Sequence, residues 1–561
     1  MKDIYPTDTT IPPEYLVPPE DQPDYPDWPA TPIEDAANVG DYLSDRQVRA
    51  GNGDVVAAIH AETGESYTFR QLAEASDNLA RGLLALGLRR GDRIAYRSPN
   101  GPDFLVVMIG ALKAGAVVVP TPASARAEEL RFVLEDTGAR FLFAHPRTTL
   151  EVAEAAAHGA PCEEVFAFGE GSETTRLRSW RELMTGDGVF TKPLTMSDAV
   201  AILWHTGGTT GRPKACYHTH KRYIAAGLSL GEATGAAVGQ RWAATAPIGH
   251  ALGLIHHTNY SLMHGATIVL IENYAKPEVV LDAVKRWRIT TLTGLAVTWA
   301  KMLQVIEQKG SADISSLQRC FAMWQSASSS QIYDAWKSRG VELLNNFGST
   351  AFATWVLIPP LGKPSPRTSL GCAAPGYEVA AVEVEGRNVR RLPTGTIGQM
   401  AVRGPSGLTY WNRPDLQQRD VVDGWTLADD LIRFDEAGYA AYLGRTDFMV
   451  STAGHKVVTV EVEEVLSRHP SVREVAVVGA PCPIRQEIVA AYIVLRDNSE
   501  GSEPLKDELV NFAKPFLSSY KLPRRIEFID MLPRDSVGKV QTRTIKQWAA
   551  EAAEREPTKS Q

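Results

Sequence analysis

HTGGTTGRPKACYHTH, residues 205–220, is the most chemically specific stretch of the 561-residue chain. The apolar run Ala199–Trp204 leads straight into it, so the expected layout is strand, Gly/Thr-rich loop, then helix. Gly207, Gly208 and Gly211 carry no side chains to stop backbone N–H groups from turning inward onto an anion. Thr206, Thr209 and Thr210 add hydroxyl donors, and Lys214 adds a positive charge on a long stem. The combination predicts a phosphate cradle. It differs from the P-loop of nucleotide triphosphatases, because Arg212-Pro213 stands where that pattern requires Gly-Lys. A second Gly/Lys loop lies near the far end, where Pro533–Arg543 reads PRDSVGKVQTR.

Working outward, 561 residues exceed what one hydrophobic core usually serves, so at least two domains are expected. A net charge of −8 and the lack of a Lys/Arg-rich run argue against a nucleic-acid partner. Cysteines 162, 216, 320, 372 and 482 are scattered and form no CxxC, which fits reduced thiols and a cytoplasmic protein. MKDIYPTDTT lacks an apolar h-region, and Lys113 breaks the most apolar stretch, Phe104–Pro120, so neither a signal peptide nor a membrane span is expected. Residues 1–40 open with a Pro- and acid-rich segment, expected to be an extended arm on the body. From about Asp41, helix-period and strand-period segments alternate, which predicts parallel β/α layers. Examples are the helix within Tyr67–Leu88 and the strands Asp92–Arg97 and Ala116–Pro120. After Pro375 short strands separated by glycines predict a small barrel or twisted antiparallel sheet, and residues 448–561 read as one small α/β domain.

The two loops together resemble the signature segments of the adenylate-forming superfamily: acyl-coenzyme A synthetases, carrier-protein adenylation domains and firefly-type luciferases. The family's Ser/Thr-Ser-Gly-Ser/Thr-Thr-Gly-x-Pro-Lys is matched except that Gly207 replaces the inner Ser. Further segments follow in family order across roughly residues 60–545. APIGHALG (246–253) places His250 where the family has a residue contacting the acyl carboxylate and gating the acyl and thiol tunnels. NNFGSTA (345–351) resembles Tyr/Phe-Gly-x-Thr-Glu, which implies that Asn346, Phe347, Gly348 and Thr350 meet the nucleotide, Thr350 at its α-phosphate. Ala351 replaces the glutamate that holds Mg²⁺ in the family, and alanine cannot ligate a hard cation. Asp430 and Arg445 stand at the ribose-contact positions, and Ser326-Ala327 at the adenine edge. Gly454 matches the loop that lines the pantetheine tunnel; beside it, Glu461 and Glu463 are read as acids solvating a helix start. Asp447, in Gly444–Asp447 (GRTD), stands at the family hinge, and Lys539 at the lysine bridging acyl carboxylate and AMP phosphate.

The resemblance implies an α/β fold: a large N-terminal domain (41–446) of layered β/α subdomains plus a barrel-like sheet, and a small mobile α/β C-terminal domain (447–561). It implies a two-step acid–thiol ligase using ATP, acyl-AMP and coenzyme A, with Mg²⁺ in question at Ala351. KACYHTHKRY and PPEDQPDYPDWP look most like aryl-type ligases, the benzoate and aminobenzoate group, so an aromatic or compact cyclic acid is the expected substrate. Trp299, Met323 and Trp324 are candidate pocket residues that sequence does not separate from core. Three alternatives stand beside this: an enzyme that loads a carrier protein or stops at acyl-AMP, one that performs only thioesterification from acyl-AMP supplied by a separate adenylating enzyme, and a nucleotide-binding scaffold.

Overall fold

A computed structural model describes residues 9–26, 28, 33–184, 190, 197–206, 213–323, 330–367, 369–446, 449–453, 455–496, 500–534 and 540–555. Two parallel sheets of seven strands each dominate the described residues before 345. In the first, the order is Arg178–Ser179, Glu164–Ala167, Ala139–Ala144, Arg93–Arg97, Val117–Thr121, Val200–Thr206 and Lys214–Thr219. The second runs Glu342–Leu344, Arg319–Met323, Thr291–Leu295, Arg241–Ala244, Thr267–Leu270, Val56–His60 and Ser66–Thr68. In each sheet one edge strand is antiparallel, and the remaining neighbours pair in parallel. The helix Phe69–Ala85 starts at a capping box in which Thr68 and Gln71 satisfy each other's backbone N–H groups. It packs on Asp103–Lys113, a helix buried along its whole length, as its nearly unbroken apolar sequence requires.

Lys113 is the one charged group at the end of that apolar run, and its side chain is fully buried. Its ammonium lies 2.7 Å from both Asp45 and Asp77 and donates to the Ala73 carbonyl. The charge therefore clips two preceding segments onto the helix instead of facing solvent.

The expected strand–loop–helix order at the cradle is corrected. Val200–Thr206 leaves toward the 207–212 loop, but the chain returns as a second strand, Lys214–Thr219, before the helix His220–Thr234 begins. Thr206 pairs with Lys214 and Val200 with Thr219, so Lys214 opens a strand and no helix N-terminus follows the loop. The cause is burial of Ala215–Tyr217 against the sheet edge, which overrides the weak local signal of KACYHT.

Beyond 345, a nine-stranded antiparallel sheet includes Phe347–Ser349, Thr354–Ile358, Ser369–Ala373, Trp425–Phe434 and Ala440–Arg445. It is an antiparallel sheet, one of the two forms anticipated after Pro375, though it begins earlier. Residues 449–555 build a separate five-stranded sheet around the long hairpin Val472–Cys482 and Gln486–Leu495, covered by Thr459–Leu466, Glu503–Ala513 and Thr542–Arg555. Glu461 and Glu463 do not simply solvate a helix start. Glu461 pairs with Lys521 at 2.6 Å, and Glu463 is drawn inward, accepts from the Val477 N–H at 2.8 Å, and has its pKa raised by burial to about 7.

The arm lies along the body and makes two short 3₁₀ turns, Pro13–Tyr15 and Pro19–Asp21. Its backbone is tied down at Val17 (N–H to the Tyr217 hydroxyl), Tyr15 (C=O from Asn412), Asp21 (C=O from the Gln417 amide) and Asp24 (N–H to Gly424 C=O). Gly424, at φ 72°, is needed there: a Cβ would sit 2.1 Å from the Asp24 carboxylate.

Candidate active site

Ligand sites in parallel sheets lie beyond the carboxyl ends of the strands. Those ends here deliver the 207–212 loop after Val200–Thr206, the 246–250 loop after Arg241–Ala244, residues 324–329 after Arg319–Met323 and the 345–351 segment after Glu342–Leu344. Gly208, Thr209, Thr210, Gly211, Ser326, Ala327, Asp447, Gly454 and Lys539 lie outside the described residues, as does Trp324; of Thr206 and Met323 only the backbone is described.

The 345–351 segment is held from several sides. Gly348 pairs with Trp355, and a Cβ there would meet the Thr354 carbonyl at 2.4 Å, so only glycine lets the strands close. Thr350–Phe352 forms a 3₁₀ turn with two of its carbonyls engaged from outside: Thr350 accepts from His218 Nε2 at 2.8 Å, and Phe352 accepts from the Ser406 hydroxyl. The following carbonyl, of Ala353, takes the Tyr260 hydroxyl. Burial lowers the pKa of His218 to about 4, so its imidazole is neutral and Nε2 carries the donated proton. Ala351 packs against the main core and brings no oxygen to the turn. No group of three His, Cys, Asp or Glu side chains able to hold a metal ion occurs among the described residues. At position 351 the side chain therefore does not fit the divalent cation that the family arrangement implies there.

Asn346 carries the clearest sign of a missing ligand. It is 2% exposed, and neither its amide oxygen nor its amide nitrogen has a hydrogen-bond partner among the described residues. An amide buried this way costs several kcal/mol of lost hydration unless a bound molecule completes it. Next to it, Phe347 faces Tyr442, ring centroids 6.4 Å apart and 27° from parallel. The Tyr442 hydroxyl donates to the Asp430 carboxylate at 3.1 Å, and Asp430 pairs across the strands with Arg445. Asp430, Arg445 and Phe347 are thus joined through a tyrosine that the sequence reading did not single out. Arg445 also reaches Asp429 at 3.2 Å.

His250 caps the short helix Ala251–Gly253, with Nδ1 accepting the Leu252 N–H. It is accessible yet recessed among protein atoms, and that partial desolvation lowers its pKa. Asn100 fixes its loop, donating to the Ala246 and Ile271 carbonyls and accepting the Ile248 N–H at 3.0 Å. Gly249 lies so close to the end of Val117–Thr121 that a Cβ would meet the Thr121 carbonyl at 2.3 Å, so this loop joins the two parallel sheets. Trp299 is removed from the pocket candidates: it is fully buried, donates to the Phe321 carbonyl and packs edge-on to Trp336.

The sequence profile of AMP-binding enzymes matches residues 45–411, and that of the AMP-binding enzyme C-terminal domain matches 461–539. A medium-chain fatty-acid–CoA ligase of Escherichia coli is 30% identical over 515 residues, covering 90% of this chain and 89% of that protein. A feruloyl-CoA synthase of Amycolatopsis is 30% identical over 481 residues, 85% of this chain and 93% of its own. The crystal structure of the anthranilate CoA ligase AuaEII with anthranoyl-AMP superposes with a TM-score of 0.79 at 25% identity, covering 93% of this chain and 99% of that one. With matching profiles on both sides of the segment that holds Asp430 and Arg445, the chain belongs to the AMP-binding, adenylate-forming enzyme family of acid–thiol ligases.

Proposed function

We propose that this protein is an acyl-CoA ligase acting on an aromatic or compact cyclic carboxylic acid. In the first step a carboxylate oxygen attacks the α-phosphorus of ATP, forming acyl-AMP as pyrophosphate leaves. In the second the thiol sulfur of coenzyme A, losing its proton, attacks the acyl carbon and AMP departs. Lys214 and the 207–212 loop would hold the β- and γ-phosphates, Thr350 the α-phosphate, and Asp430 with Arg445 the ribose. His250 would meet the acyl carboxylate, and Lys539 would bridge acyl and phosphate oxygens during adenylation only. Residues 447–561 would turn about Asp447 between the steps. Such positioning and charge neutralisation account for most of the rate in phosphoryl and adenylyl transfer. The observation that carries the reading is the Asp430–Tyr442–Phe347 chain beside the buried Asn346 amide, which has no partner among the described residues: a ribose-type acceptor, an aromatic face and a polar hook in one place. The aromatic class is supported by the feruloyl and anthranilate relatives.

Ala351 favours a second reading, in which only thioesterification is efficient and acyl-AMP comes from a separate adenylating enzyme. Ala351 leaves the family's metal-ligand position without a side-chain oxygen. One experiment tests both readings: pyrophosphate release across a panel of aromatic and cyclic acids, run beside thioester yield from synthetic acyl-AMP, for wild type and Ala351→Glu. Pyrophosphate release at about 1 s⁻¹ or faster, the ordinary enzyme range, supports the complete ligase. Thioester yield without pyrophosphate, with adenylation gained by Ala351→Glu, supports the second reading. Inactivity in both assays overturns both.

A further inference from the structure

The loop that carries His250 runs out from the end of a strand. Arg241–Ala244 lies between Thr267–Leu270 and Thr291–Leu295, and Thr245 still donates to the Thr293 carbonyl. The next three residues, Ala246–Ile248, include Pro247, which has no N–H for a neighbouring strand. Their outer polar groups are answered from the other sheet. Asn100 stands three residues beyond Arg93–Arg97, and its amide donates to the Ala246 carbonyl at 2.9 Å while accepting the Ile248 N–H at 3.0 Å. A C=O and the N–H two residues on are the pair that one residue of a parallel neighbour would engage. The second amide proton goes to the Ile271 carbonyl at 3.0 Å, one residue past Thr267–Leu270. Both donors of the amide are thereby used, and the residue is 4% exposed. Asn100 thus adds a rung to the second sheet just beyond the ends of two of its strands, and the rung belongs to the first.

The ground on which this rung stands is stiff. After Ile271, the Glu272 N–H donates to the Glu62 carboxylate at 3.2 Å, and the Glu272 carboxylate meets His60 Nε2 at 3.2 Å and Arg147 at 2.8 Å. The His60 ring lies against Gly101, where an added Cβ would be 3.3 Å from it. On the loop side only Gly249 separates the clasped Ile248 from His250, and Gly249 abuts the Thr121 carbonyl of the first sheet. His250 Nδ1 accepts the Leu252 N–H at 3.2 Å, so the neutral ring carries its proton on Nε2, as the donor for an acyl carboxylate. Loop backbone ordinarily meets water. Here a buried side chain from another sheet holds it, two residues before an accessible histidine.

We propose that Asn100 is a positioning residue of the ligase, which sets the place of the His250 imidazole through the 246–250 loop and so governs use of the acid. This role rests on the reading of His250 as the residue that meets the acyl carboxylate. Without the amide, Ala246–Ile248 is released from both sheets at once, and a displacement of about 1 Å at a reacting group costs on the order of 100-fold in rate.

The test is a double-mutant cycle on the full-length protein: wild type, Asn100→Leu, His250→Ala and the double variant. Thioester formation is measured with benzoate, anthranilate and ferulate, each as free acid with ATP and as synthetic acyl-AMP, and the fastest donor is used. Asn100→Leu is expected to lower kcat/KM for that donor about tenfold or more, with the KM of ATP, where ATP is used, within about twofold of wild type. In the His250→Ala background the same substitution adds less than about twofold, because its route of action is already gone. A second readout is labelling by diethyl pyrocarbonate, which acylates neutral imidazole, with each histidine followed by peptide mass spectrometry. The His250 rate changes about threefold or more in Asn100→Leu, as for a group released by local opening. The exposed His158 is unaffected. Lys113→Met, a loss of stability at the far end of the helix Asp103–Lys113, leaves both rates as in wild type. Circular dichroism verifies folding, and the smaller Asn100→Ser replaces Asn100→Leu if that variant is unfolded. Unchanged kcat/KM in the Asn100 variant, full multiplication of the two losses, or unaltered His250 labelling overturns the role. A His250→Ala protein as active as wild type, or no thioester from any donor, refutes instead the reading on which it rests, and the role falls with it.

Discussion

His218→Leu is the substitution that most directly asks how the 345–351 segment is held. His218 is buried and neutral, and its Nε2–H is the donor to the Thr350 carbonyl at 2.8 Å. Leucine keeps the approximate volume but removes the donor, leaving the carbonyl of the 3₁₀ turn unsatisfied. The penalty for a buried, unpaired acceptor is about 1–3 kcal/mol. If the turn relieves it by shifting, the Thr350 hydroxyl moves away from the place proposed for the α-phosphate, and that free energy appears in the transition state. At about 1.4 kcal/mol per decade the expected loss is about 5- to 150-fold in kcat/KM for adenylation. Thioester formation from supplied acyl-AMP, in which the α-phosphorus is not attacked, loses less than threefold. His218→Gln, whose amide can still donate, recovers part of the loss. The measurements are pyrophosphate release, thioester yield and urea unfolding on the same preparations. Should His218→Leu lose 1–3 kcal/mol of stability while both half-reactions stay within twofold of wild type, the bond is purely structural and the positioning argument is refuted.

Three further outcomes are expected. Asn346→Leu removes the partnerless amide and raises the KM of ATP or of the acid by about tenfold, the worth of one or two hydrogen bonds, while protein stability rises; unchanged values of both KM would show that the amide meets neither substrate. Lys113→Met strands the Asp45 and Asp77 carboxylates and costs about 3 kcal/mol, read as a lower urea midpoint, with the native far-ultraviolet spectrum retained. For pH, burial depresses His145 and His218 to about 4 and His220 to about 3, below the unfolded 6.5. Their contribution is complete above pH 6.5 and is lost as pH falls through 4. Glu463, raised from 4.5 to about 7, runs the other way: its contribution is complete below pH 4.5 and is lost as pH rises through 7. Glu463→Gln is therefore expected to stabilise the protein at pH 8 by about 2 kcal/mol and not at pH 4.5, as denaturant midpoints at the two pH values would show.

What the sequence disclosed depended on how local the cause was. The helix Phe69–Ala85 was legible because Thr68 and Gln71 close a capping box within four residues. The parallel strands were legible because each is a short apolar run between turn residues. The return strand Lys214–Thr219 was not, since its pairing with Val200–Thr206 and the burial of Ala215–Tyr217 are tertiary facts. The same holds within the site. Asp430 and Thr350 stand in recognisable segments, whereas His218 acts on a carbonyl 132 residues away and Tyr442 owes its place to strand register. The motif implied that Asn346 meets the nucleotide, and its burial adds what sequence could not show, that no described residue answers its amide.

The arm sets the order in which the protein can be made. Val17 leaves the ribosome well before Tyr217, its partner 200 residues later, and Asp21 well before Gln417, 396 residues later. At about 5–20 residues per second, roughly 20–80 s pass between synthesis of Asp21 and of its partner. Through the first part of that interval the apolar Ile11 and Val17, buried in the finished protein, have no completed sheet to cover. The parallel sheet beneath them can be complete much sooner, because its last strand ends at Thr219. Docking of the arm is thus a late event that reports the arrival of Asn412, Gln417 and Gly424. A chain truncated before residue 412 would lack the ties to Asn412, Gln417 and Gly424, and limited proteolysis would cut it between residues 9 and 26 sooner than the full chain.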